Sequence, residues 1–364
     1  MYIFSVIRPY PSLDLSTKSG FAFAWLELIS HRMFLSNLLL TKDQKQWGIM
    51  HQLFIDLLLF MEPHLRKQEL TGAIKKFYNG SLRVIVMVLH DFPSFLVGYA
   101  LSFCNVIPEN CLQLRNVILS AVPKNVPIHD PISHSFKIDQ LPEISQAPLI
   151  LSNVVGPLVS FKTELDGYLS NQQSADFFNS IVPHLRKAGK TELDAPTVNS
   201  LVLYVGMQGL ARLKNQAGEQ IESSLGRSPE MEVFQKLMQL DDHARYISLT
   251  AIANQLRYPN SHTHYFSCVM LYLFNETKDE GVKEQITRVL LERIICQRPH
   301  PWGLLITFIE LIKNTKYQFW SHSFTRCAPE IEGVFKNVAR SCMLPTGWDQ
   351  QQQGVVATGE GHQV

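Results

Sequence analysis

Residues 241–257 read DDHARYISLTAIANQLR, and the spacing inside this stretch decides the fold. Leu249, Ile252, Ala253 and Leu256 fall at i, i+3, i+4 and i+7, which is one face of a helix. Asp241 and Asp242 stand at its start, where negative side chains complement the helix dipole. Residues 285–297 repeat the pattern with Ile286, Val289, Leu290 and Ile294. Helix-like blocks of this kind run from 21–40 to 323–342. They are separated by short breaks such as Asp91-Phe-Pro, Ile107-Pro-Glu, Tyr258-Pro-Asn and Arg298-Pro-His-Pro. Proline at or just before a helix start is its expected place.

Two runs test this assignment. RVIVMVL (83–89) and LVLYV (201–205) are apolar and β-branched, as buried strands are. Each lies inside a longer apolar block without turn residues on both sides, so both are predicted to be buried helices. The expected architecture is all-α, a HEAT-like α-solenoid of stacked antiparallel helix pairs. The expected units are 21–122 and 149–344. Between them, 123–148 carries Pro123, Pro127, Pro131, Pro142 and Pro148 and is read as an ordered connector. A polar loop covers 215–229. The tail from 345, rich in Gln and Gly, lacks core periodicity and reads as disordered. Residues 1–20 stand apart as an N-terminal segment.

The 364 residues include 46 % hydrophobic and 18 % charged side chains, a core-forming composition poor in charge. With 33 basic and 32 acidic residues the net charge is +1, which leaves no global excess for neutralising phosphates. RNA contact is therefore expected to be indirect or weak. A local basic patch, for example Arg66, Lys67, Lys75 and Lys76, reads as a solvated helix face. Six scattered cysteines without a CxxC pair read as reduced thiols. MYIFSVIRPYPS is no signal peptide, because its apolar run is short and ends at Arg8-Pro9. The uncharged run Phe92–Pro108 falls short of the ~20 residues a membrane span needs. No membrane partner is expected, and the reduced thiols fit a cytosolic or nuclear location.

NQLRYPNSHTHYF (254–266) holds His262 and His264, and QRPHPWG (297–303) holds His300. His262, His264, Cys268 and His300 could be assembled on paper into a zinc site, the basis of an alternative reading as a metal-dependent hydrolase acting on nucleic acid. On a helix, however, His262 and His264 point about 200° apart and cannot share one metal. The simpler reading has Asn260 or Ser261 capping a helix, with Tyr265 and Phe266 in the core. Gly189-Lys190-Thr191 lacks the upstream glycine of a phosphate loop, since His184 stands there. No GxSxG or HExxH occurs. No cofactor, metal or catalytic residue is expected. The aromatic, Arg and His residues of the two Pro-punctuated loops form the candidate partner-binding set: Arg257, Tyr258, His262, His264, Tyr265, Arg298, His300 and Trp302.

The same segments carry a resemblance. FAWLELISHRMF (23–34), TKDQKQWGIMHQL (41–53), LRVIVMVLHDFPSFL (82–96) and IPENCLQLRNVILSAVP (107–123) belong together with IANQLRYPNSHTHYFSCVMLYLF (252–274), QITRVLLERIICQRPHPWGLLITFIELIKN (285–314) and CAPEIE (327–332). From about 21 to 343 the chain resembles the C-terminal region of the large Not scaffold subunit (Not-one) of the Ccr–Not deadenylase complex. The resemblance implies a helical, HEAT-like homology domain without catalytic activity. It also implies docking of the Not-box heterodimer of the second and third Not subunits, in a complex that shortens poly(A) tails, represses translation and promotes mRNA decay. That scaffold is several times longer, and the parts that hold its nucleases and its helicase partner have no counterpart in this sequence.

Overall fold

The computed structural model describes residues 15–40, 44–67, 70, 72–131, 138, 141–171, 176–215, 224–326, 332, 333, 335 and 337. Among them the chain is helical and contains no strand, only an isolated bridge between Arg186 and Leu193. The N-terminal helices are α1 (Leu15–Ser30), α2 (Arg32–Leu39), α3 (Trp47–Leu65), α4 (Gly72–Asp91), α5 (Pro93–Val106) and α6 (Leu112–Leu119). Then follow α7 (Lys162–Asn171), α8 (Phe177–Ile181), α9 (Ala195–Asn215), α10 (Pro229–Met238), α11 (Asp242–Ala253), α12 (Ser261–Glu276), α13 (Glu280–Ile294) and α14 (Trp302–Lys313). Both β-branched runs are helical as expected, in α4 and α9.

Local chemistry starts these helices. Pro93 and Pro229 occupy first turns, where a missing N–H costs nothing. Ser228, Asp241, Asn260 and Asp279 each accept a backbone N–H from the first turn of the following helix. Packing then joins neighbours: α1 on α4, α3 on α5, α5 on α6 and α9, α9 on α11 and α12, and α12 on α14. Gly206 and Gly209 let α12 approach α9 closely. A Cβ at Gly206 would lie 2.2 Å from Phe266 Cζ, and one at Gly209 2.3 Å from the Tyr265 hydroxyl.

Most buried apolar side chains fall into two clusters, one on each side of the proline-rich stretch. The clusters interlock, since Leu101 of α5 joins the C-terminal one and Tyr258 joins the N-terminal one. A chain of buried amides crosses the joint. Asn199 donates to Asn105 Oδ1 at 2.9 Å, Asn254 donates to Asn199 Oδ1 at 3.1 Å, and Arg293 donates to Asn254 Oδ1 at 2.9 Å. Asn116 of α6 closes the joint by donating to the Arg293 carbonyl at 2.7 Å.

Two fully buried guanidiniums stand at this joint without a carboxylate partner among the described residues. Arg115 donates to the carbonyls of Cys104, Ile107 and Pro108 at the C-terminal end of α5. Arg293 donates to Thr250 O and Asn254 at the C-terminal end of α11. Helix C-termini concentrate unpaired carbonyls and negative potential, so they serve a buried cation in place of an acid. Burial still lowers the Arg293 pKa to about 10, with Arg115 adding to the effect.

Candidate functional site

The loop between α11 and α12 is built around Thr263. Its hydroxyl donates to the carbonyls of Gln255 and Tyr258 at 3.1 and 2.8 Å and accepts from Arg257 N at 3.1 Å. Asn260 caps α12 by accepting from Thr263 N at 3.0 Å, and its amide donates back to Tyr258 O. Distant segments then cover the loop. Ser261 N donates to Gln146 O at 2.8 Å, Gly303 N to Arg257 O at 2.5 Å, and the Arg257 guanidinium to Val97 O at 3.1 Å.

This placement agrees with the core reading of Tyr265 and puts most of the candidate partner-binding residues inside the chain. Arg257, Tyr258, His262, His264, Tyr265 and Trp302 are all buried in the chain. Tyr258 packs in the N-terminal core, and Tyr265 lies edge-on to Phe266 against α9. Trp302 packs with Leu141 and Ile306 and donates to His129 O at 2.8 Å. His262 is held neutral. Burial pushes its pKa down to about 3, and the charges of Arg257 and Lys214 push the same way. Only Arg298, ahead of the cis Pro299, is exposed, and His300 is half-buried with Nε2 against Cys296 O at 2.7 Å. The sequence missed this because polar and aromatic residues beside a proline look alike in a surface loop and in a covered one. Among the described residues no three His, Cys, Asp or Glu side chains are placed to hold a metal ion.

The accessible features lie elsewhere. After the connector the chain runs without α-helix from 146 to 155, anchored by Leu151 N on Gly98 O at 2.8 Å and by the Ser152 hydroxyl beside Ser102. Leu149 and Leu151 lay their side chains against Gly98 of α5 and, like Val155, stay 38 % exposed, while Val159 is 70 % exposed. At the Leu149 end a pocket of about 250 Å³ opens between the start of α5, the connector and the Tyr258 loop. Its walls include Val97, Val126, Glu143, Leu149 and Tyr258. The sequence signal for this strip is an uncharged apolar run, LILSNVVGPLVS (149–160), with no helical period. Among the described residues no helix is long and apolar enough to cross a membrane.

A covered histidine loop, a partly exposed apolar segment and a surface pocket belong to an all-helical domain of stacked helices. Residues 6–339 match the family model described as "CCR4-Not complex component, Not1", a match that begins earlier than the resemblance from 21 suggested. The chain belongs to the Not1 family. It is 43 % identical over 93 % of its length to the CCR4-NOT transcription complex subunit let-711 of Caenorhabditis elegans. It is 40 % identical over 94 % of its length to general negative regulator of transcription subunit 1 of Schizosaccharomyces pombe. It spans only 13 % and 16 % of these two relatives. Its fold matches the NOT1 superfamily homology domain from Chaetomium thermophilum with a TM-score of 0.81 and 30 % identity, over 89 % of this chain and 66 % of that one. A second match, at TM-score 0.77 and 29 % identity over 90 % and 66 % of the two chains, is a Not1 C-terminal domain in complex with Not4.

Proposed function

We propose that this chain is a non-catalytic docking domain of the CCR4-Not complex, binding the heterodimer formed by the Not-box regions of the second and third Not subunits. Through that contact it supports mRNA deadenylation, mRNA decay and translational repression in the cytoplasm. The observation that carries the reading is the agreement of sequence family and fold along nearly the whole chain. The relative solved with Not4 favours a partner among the Not proteins. The partly exposed segment at 149–159 offers apolar area of the kind protein partners cover. Arg298 and His300 stand as further candidate contacts, since they reach solvent.

The test is co-elution of the full chain with the purified heterodimer on a sizing column. A stoichiometric complex is expected, with a rise in the melting temperature of the chain, because a ligand that binds only the folded state shifts unfolding. Separate elution of a folded helical chain overturns the reading. A parallel run with Not4 in place of the heterodimer reveals whether the partner is that protein instead.

A further inference from the structure

The pocket beside Tyr258 has an uneven chemistry. Its volume of about 250 Å³ equals about eight waters at about 30 Å³ each, enough for a whole side chain. Val97, Val126, Leu149 and the Tyr258 ring give it apolar walls. Among the described residues lining it, Glu143 is the one carboxylate, and no lysine, arginine or histidine lines it. The Glu143 side chain is only 12 % exposed. Its Oε2 is buried and accepts no hydrogen bond from a described residue; His129 Nε2, 3.9 Å away, is too far for one and forms an ion pair with it only when that imidazole is protonated. A buried carboxylate oxygen left in this state is costly. A charge-assisted bond from a cation removes the cost, while the apolar walls accept a methylene stem.

The pocket is also continuous with a surface. Leu149 is at once part of its wall and the first of four partly exposed apolar residues in the segment that runs through Leu151 and Val155 to Val159, the last of them 70 % exposed. A free small cation would cover the pocket alone. A polypeptide with a basic side chain and apolar neighbours covers both.

We propose that this pocket seats a lysine or arginine side chain carried on an extended segment of the docked Not heterodimer, with Glu143 as its counter-charge. The inference rests on the docking reading above and adds the chemistry of one subsite. Arg257 lies behind the wall, bonded to Val97 O, and makes an acidic side chain the competing occupant.

The experiment titrates the full chain with the purified heterodimer by calorimetry at low and high salt, using wild type, Glu143→Gln and Ala147→Trp. Gln keeps the shape and removes the charge; Trp at 147, on the pocket lining, fills the space. Loss of one partner of a desolvated charge pair weakens binding by about tenfold or more. Glu143→Gln is expected to show that loss with a flatter salt dependence and a melting temperature no lower than that of wild type, and Ala147→Trp a comparable loss at an unchanged melting temperature. Wild-type binding matched by both variants within about twofold overturns the subsite and leaves the docking reading intact. Tighter binding by Glu143→Gln also overturns it, in favour of an acidic occupant. If wild type does not bind the heterodimer, the docking reading fails first. Butylguanidinium, followed by ligand-observed NMR, then tests the pocket directly. Binding that Glu143→Gln abolishes supports the cation site, and no binding to wild type overturns it.

Discussion

The buried joint between the two apolar clusters makes a sharp quantitative prediction. Asn254 uses both ends of its amide there, donating to Asn199 Oδ1 and accepting from Arg293 Nη2. Asn254→Leu keeps the volume and removes both bonds. It leaves the Asn199 oxygen an orphaned buried acceptor, which costs about 1–3 kcal/mol. It also leaves the Arg293 guanidinium with Thr250 O at 3.3 Å as its remaining acceptor, since Nε and Nη1 have none among the described residues. Loss of a hydrogen bond to a charged group adds about 1.5–3 kcal/mol. The single variant should therefore lose about 3–5 kcal/mol, a large share of the ~5–15 kcal/mol that holds a typical domain.

Arg293→Met removes the buried charge itself and is expected to cost less. In the double variant no guanidinium remains to be stranded. Its cost should fall short of the sum of the single costs by about 2 kcal/mol. Urea unfolding followed by far-UV circular dichroism measures all four corners of this cycle, read as midpoints at constant slope. Additivity within about 0.5 kcal/mol would refute the reasoning, because it would mean that the amide and the guanidinium do not depend on each other.

Three other outcomes follow from the same interior. Gly303→Ala places a Cβ 2.4 Å from Thr263 Cγ2 and 2.8 Å from Arg257 O. It should cost about 1–3 kcal/mol in thermal or urea unfolding with little loss of helicity, and an unchanged midpoint would mean that the loop yields freely. His262, with its folded pKa lowered to about 3 against an ordinary 6.5, binds its proton more readily in the unfolded chain. Its stabilising contribution is complete above pH 6.5 and declines as pH falls from 6.5 towards 3, with a limiting slope of about 1.4 kcal/mol per pH unit. His51, lowered to about 4 by burial, acts in the same direction down to pH 4. His262→Gln should flatten stability measured from pH 7 to pH 5, and an unaltered profile would count against a buried neutral imidazole. Finally, a chelator should leave the melting temperature unchanged. A drop restored by zinc would bring back the reading that groups His262, His264, Cys268 and His300.

Helix placement was legible because its signals are local. The i, i+3, i+4, i+7 face of 249–256, the Asp241 and Asn260 caps, and the prolines at 93 and 229 all act within one or two turns. Even the doubtful runs at 83–89 and 201–205 resolved correctly from their flanks. The described residues of the 123–148 stretch hold no α-helix, and among them Leu141 and Ile138 pack against Trp302, which proline content could not tell. The family resemblance came from long uninterrupted segments, and its implication of a helical homology domain agrees with the fold.

Solvent exposure was not legible, because it depends on what lies on top. His262 and Trp302 stood in the candidate partner-binding set beside the simpler reading that packs them inside. Gln146, Gly303, Val97 and His129, remote in sequence, supply the bonds and walls that bury that region. The pocket is likewise assembled from α5, the connector and the Tyr258 loop, so none of these segments reveals it alone. Sequence by itself determined that the chain is helical, where most helices start, and which family it joins, since these rest on neighbours along the chain. Only the tertiary structure decided which side chains face water, because burial belongs to pairs of segments whose approach no local period encodes.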